Sequence, residues 1–146
     1  MASTASTVIS MRLAVATTAR LKRVARQHGW TPSDASARLV EEGLRRAEFA
    51  FVDFRDSSVG RQAFVQGSTM AVWEVMLLVA SHKGNASAVA RHLGWPLTKV
   101  LAAMHYAEAF PDEIEIALRE KAETELLALK RMLPQTVEFS TKRAKR

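Results

Sequence analysis

Residues 7–13 alternate along the chain: Ile9, Met11 and Leu13 fall on one face of an extended segment, and Val8, Ser10 and Arg12 on the other. From Ala16 to His28 the spacing changes to that of a helix, with Leu21, Val24 and Ala25 on one stripe and Gly29 supplying the left-handed residue that stops it. Thr31-Pro32-Ser33-Asp34 then offers a hydroxyl cap, a proline suited to the first helical turn and an acid beside it. This predicts a second helix whose buried stripe is Leu39, Val40 and Leu44, with Gly43 permitting close approach. Phe49, Phe51, Val52 and Phe54, a turn over 55–60 and Ala63-Phe64-Val65 predict a short hairpin. Three helices over 71–82, 86–93 and 98–110 follow, broken at Gly84-Asn85 and at Gly94-Trp95-Pro96. A last helix starts at Pro111-Asp112-Glu113, carries Ile114, Ala117, Leu118, Ala122, Leu126, Leu129 and Met132, and ends before Pro134.

A lone strand leaves its backbone donors and acceptors unpaired, and a two-stranded ribbon is the smallest unit that satisfies them. The segment 7–13 followed by two helices therefore predicts a homodimer. Two copies of the strand pair antiparallel about a two-fold axis, bury Ile9, Met11 and Leu13 together with Leu39, and display Val8, Ser10 and Arg12 twice. The alternation alone fits a pure dimerisation module equally well.

Charge separates these readings further. Residues 1–46 hold eight Lys/Arg and three Asp/Glu, residues 47–133 nine and eleven, and residues 134–146 four and one. The ends are basic and the middle slightly acidic, the distribution expected when one part of a chain meets a polyanion. The first 33 residues contain no acid, a composition shared with transit peptides, but their strand and helix patterns point to a packed fold. With 146 residues, 48% of them hydrophobic, the chain has room for one domain or two small ones, and a large multidomain enzyme is excluded. No cysteine is present, so disulfides, thiolate metal sites and cysteine nucleophiles are excluded, and cytoplasmic residence is expected. The apolar run from Val75 to Ala80 is too short to cross a bilayer, so no membrane partner is expected.

Residues 7–46 resemble the ribbon–helix–helix family of bacterial repressors and antitoxins, through Ile9-Ser10-Met11-Arg12-Leu13, Leu21, Ala25, Gly29, Ser33 and Leu44. The resemblance implies that the paired strands enter the major groove of operator DNA with Val8, Ser10 and Arg12 facing base edges. Arg12 has the fork that matches the two acceptors of guanine. The start of the second helix, at Thr31 and Ser33, would hold a phosphate through backbone N–H groups. Residues 53–116 resemble a small bacterial domain found in VapB-type antitoxins and beside PIN-like nucleases. The likeness is carried by Phe54-Arg55-Asp56, Gly60-Arg61, Gly67, Val72-Trp73-Glu74-Val75 and the run from Ala107 to Ile114. Together the two resemblances imply an antitoxin that represses its own operon and neutralises a PIN-like nuclease toxin.

Inside the second region, Ala90, Gly94 and Val100 have helix–turn–helix spacing. Its second helix offers Thr98, Lys99 and Tyr106 as accessory DNA or partner contacts, within a stretch whose summed charge speaks against independent duplex binding. In the tail, Gln135–Ser140, with Phe139, has the pattern of a strand that joins a partner's sheet edge; a solvated terminus is the other reading.

No catalytic constellation is visible. His28, His82, His92 and His105 form no i,i+4 pair, the HExxH, P-loop and GxSxG motifs are missing, and no metal or cofactor is implied. The expected architecture is mainly α with short β. It comprises a ribbon–helix–helix domain over 1–47, a hairpin with a helix–turn–helix-like cluster over 48–133, and a basic tail over 134–146. The expected function is a DNA-binding autorepressor and antitoxin, whose partners are operator DNA, a second copy (with dimers joining into tetramers left open) and a toxin. The competing classes are a dimeric adaptor without specific DNA binding and a protein that coats DNA without sequence preference.

Overall fold

The computed structural model describes residues 5–133. The fold is mainly helical, with one two-stranded antiparallel sheet, and divides into two compact units, Met1–Arg45 and Arg46–Arg146. Among the described residues no helix is long and apolar enough to cross a membrane.

In the first unit, residues 5–14 form neither helix nor strand. Helix α1, Val15–His28, ends at Gly29, whose φ of 67° and ψ of 26° are left-handed; the Trp30 N–H then returns to the Ala25 carbonyl at 2.9 Å. Helix α2, Pro32–Glu48, starts as its sequence predicts. Thr31 Oγ1 accepts the Asp34 N–H at 3.1 Å and donates to the Asp34 carboxylate at 2.7 Å. Ala25 on α1 and Ala35 on α2 are the buried small residues of the two helices. The expected stripe on α2 is corrected here: Leu39 is only half-buried, and Val40 and Leu44 are 47% and 53% exposed. Their face has the right period, but the chain itself does not cover it.

The second unit takes in the last residues of α2 from Arg46 and then forms a hairpin, β1 Val52–Ser57 and β2 Gly60–Val65, in register from Val52 opposite Val65 to Ser57 opposite Gly60. Ser58 and Val59 form the tip, and the positive φ that this loop requires falls on Gly60, at 111°. Alternation sends Val52, Phe54, Ala63 and Val65 to the core.

Four helices follow: α3 Val72–Ser81, α4 Ala86–Leu93, α5 Leu97–Ala109 and α6 Pro111–Met132. Each start has its own device. The Glu74 carboxylate accepts the Ala71 N–H at 2.8 Å before α3, Asn85 Oδ1 accepts the Ala88 N–H at 3.0 Å for α4, and prolines precede α5 and open α6. Val72, Val75 and Val79 from α3, Val89 and Ala90 from α4, and Val100, Ala103, Tyr106 and Ala107 from α5 complete one core with the hairpin. Helix α6 buries no residue; Ile114, half-buried, joins the core at its edge.

Candidate nucleic-acid interface

Along residues 7–13 both faces are open. Ile9, Met11 and Leu13 are 79%, 54% and 41% exposed, and Val8, Ser10 and Arg12 are exposed as well; the strand expected over 7–13 is not formed by the single chain. An apolar row left in water is the costly half of this arrangement, at about 25 cal/mol for each Å² that a partner would cover. Thr31 and Ser33 are exposed at the start of α2, and Arg20, Lys22, Arg23 and Arg26 are exposed on α1. Thr31 already caps its helix, so its hydroxyl is partly spent on Asp34.

A stack on the α1–α2 corner adds three residues that the reading of the sequence did not single out together. The His28 ring lies on Trp30 with centroids 4.4 Å apart and planes 23° from parallel, and the Arg38 guanidinium sits 4.7 Å from the Trp30 ring centroid. His28 is fixed from the other side by Nδ1, 3.0 Å from the Val24 carbonyl. Trp30 therefore holds the guanidinium of an α2 residue against the corner by cation–π attraction.

The helix–turn–helix spacing in the second unit is realised as a built corner. Ala90 and Val100 are buried, and Gly94 takes φ 66° and ψ 31° between α4 and α5. Two of the contacts expected there change. Tyr106 is fully buried, so it faces the core and is not available to DNA or to a partner. Lys99 points back into its own unit: Nζ donates to the Gln66 carbonyl at 3.1 Å and lies over the rings of Phe51 and Trp95, 5.9 and 5.8 Å from their centroids. Thr98 is exposed, and Phe139 lies outside the described residues.

The second unit's acids are not spread evenly. Residues 75–107 contain no Asp or Glu but hold Lys83, Arg91 and Lys99 and the histidines 82, 92 and 105. The slightly acidic sum of the region comes from Glu48, Glu74 and the residues from Glu108 onward, while the two acids and two arginines of the hairpin cancel. A count over the whole region hides this, whereas a sliding count of charge finds it.

Among the described residues no cluster of three or more His, Asp or Glu side chains could hold a metal ion. Asp53 is held below the usual carboxylate range. The Phe54 N–H, donating to Oδ1 at 2.8 Å, is the main cause; burial opposes it, and the Arg46 guanidinium at 3.0 Å and the charge of Arg55 add to the lowering. This pair is a surface brace between the end of α2 and β1. Comparison with family models, with curated proteins and with solved structures finds no match to this chain.

Proposed function

We propose that the protein is a dimeric, sequence-specific DNA-binding autorepressor of the ribbon–helix–helix kind, and the antitoxin of a toxin–antitoxin pair. The observation that carries the reading is the uncovered row Ile9, Met11 and Leu13 in a non-helical segment that the single chain leaves without a strand partner, next to an acid-free, basic stretch. A second copy laid antiparallel would pair the open backbone of both segments and bury both rows with Leu39 and the exposed Val40 and Leu44. Val8, Ser10 and Arg12 of both copies then form one ribbon face, six side chains wide, of the kind that the major groove admits. Thr31, Ser33 and the N-terminus of α2 supply phosphate anchors that set its register. Repression follows from occupation of the promoter.

The toxin half of the reading rests on the resemblance of residues 53–116 to the antitoxin-associated domain. The second unit has its own complete core, which suits a module that works on a separate partner.

The test is a titration of the protein against the promoter of its own operon and a scrambled duplex of equal length, at two salt concentrations. A preference of about 10³ or more for the promoter supports a specific repressor. Equal and weak binding to both duplexes overturns it in favour of a dimeric adaptor, and equal, tight, steeply salt-dependent binding in favour of a DNA-coating protein.

A further inference from the structure

The chain builds one corner twice. Val24-Ala25-Arg26 with Gly29-Trp30 and Val89-Ala90-Arg91 with Gly94-Trp95 match at a constant offset of 65 positions (24 and 89, 25 and 90, 26 and 91, 29 and 94, 30 and 95). The backbone follows the sequence. Both glycines are left-handed at nearly the same angles, both Trp N–H groups return to the alanine carbonyl at 2.9 Å, and both Gly N–H groups return to the arginine carbonyl at 3.3 Å. The same offset relates Ala35 to Val100, each fully buried on the helix after the corner. In each case a cation from that second helix lies over the corner tryptophan, Arg38 in one and Lys99 in the other.

Electrostatics distinguish what the second corner can meet. Its helices, α3 to α5, lie within residues 75–107 except for the first turn of α3 and the last residues of α5, and that stretch carries no acid. Lys99 is turned inward, which leaves Lys83 and Arg91, both exposed. The rings of His82 and His92 lie with centroids 5.4 Å apart, and Lys83 and Arg91 are the exposed chain neighbours of these two residues, where α3 and α4 end. A patch of two cations and two histidines with no carboxylate on its own segment is suited to a polyanion.

We propose that this patch is a second contact for duplex DNA, in which Lys83 and Arg91 grip the phosphate backbone. It contributes affinity without sequence preference, because phosphate contacts carry no base information. The inference deepens the DNA-binding reading above, but it stands on a different unit and does not need the ribbon.

The experiment uses the full chain with Lys83→Ala and Arg91→Ala together, titrated against the scrambled duplex over a range of salt concentrations, with thermal unfolding as the check on folding. The slope of log K against log salt is expected to fall by about 2 per chain, and low-salt affinity roughly tenfold or more. The ratio of promoter to scrambled binding should stay as in the parent protein. Charge reversal, Lys83→Glu with Arg91→Glu, should weaken binding further. A slope unchanged in both double variants overturns the proposal. Arg12→Ala tests the ribbon separately: loss of promoter preference there supports the ribbon and kept preference counts against it, whichever way the slope of the Lys83 and Arg91 variants decides this patch.

Discussion

The hydroxyl of Tyr106, a residue with no exposed surface, donates to the carboxylate of Glu113 at 2.5 Å, joining α5 to the first turn of α6. Around it the Tyr106 ring meets Phe49 edge-on at 5.4 Å and lies tilted against Phe110 at 4.9 Å. The ring fills the core while the buried hydroxyl, which has no access to water, finds its partner in the Glu113 carboxylate. Tyr106→Phe should cost about 1 kcal/mol by loss of the hydrogen bond, and Tyr106→Ala about 3–5 kcal/mol by leaving a cavity. Urea unfolding followed by circular dichroism measures both; equal losses would mean that the hydroxyl, and not the ring, carries the whole effect.

Gly29 and Gly94 are matched tests of backbone strain. A Cβ at either would meet nothing within 4 Å, so Gly→Ala costs only the left-handed conformation, about 1–2 kcal/mol at each site. The same unfolding measurement checks this, and loss of less than a few tenths of a kcal/mol at both sites would contradict it.

Asp53 predicts a pH effect with a definite sign. Its carboxyl is held low in the folded chain, first by the Phe54 N–H and then by Arg46. A carboxyl whose folded value lies below its unfolded one stabilises the fold at neutral pH, and that contribution is lost as pH falls through the folded value. Asp53→Asn should therefore lower stability at pH 7, by less than about 1 kcal/mol because the pair is exposed to solvent. The difference between the two proteins should shrink as pH falls through the carboxylate range and vanish only below the lowered folded value of Asp53, which thermal unfolding at several pH values would show.

The ribbon makes two linked predictions. Arg12→Ala should cost about 1–3 kcal/mol per half-site on promoter DNA while the dimer persists. Ile9→Asp should yield a monomer in sedimentation, because it places a charge in the row that a second copy covers, with the far-ultraviolet helical signal of the second unit retained. A dimer surviving Ile9→Asp would move the interface elsewhere.

Much of the second unit was legible from punctuation. Gly94, Asn85 and Pro111 each require a particular backbone, so the helix limits could be drawn within a residue or two of α4, α5 and α6. The hairpin was legible from its alternation, although its turn is tighter than the run 55–60 suggested, because Arg55, Asp56 and Ser57 continue β1. Tyr106 was misread because α5 is apolar on nearly every side: Val100, Ala102, Ala103, Tyr106 and Ala107 are all buried, so no one-sided stripe marked an outer face. The inward turn of Lys99 depends on a carbonyl at Gln66, 33 residues away, and no local pattern encodes that. Val40 and Leu44 were correctly placed on one face, but whether such a face is covered depends on a partner as well as on period.

Helix α6 buries none of its side chains, and Leu129 and Met132 near its end are 44% and 80% exposed. Its later turns rest on intrahelical pairs such as Lys121 with Glu125, 3.0 Å apart, each worth only a few tenths of a kcal/mol. Amide hydrogens along α6 should then exchange with solvent in a gradient, slowest beside Ile114 and fastest toward Met132, through fraying that never opens the core. Protection in the buried turns of α3 and α5 reports a different event, global unfolding, so the two ends of this one helix keep separate clocks.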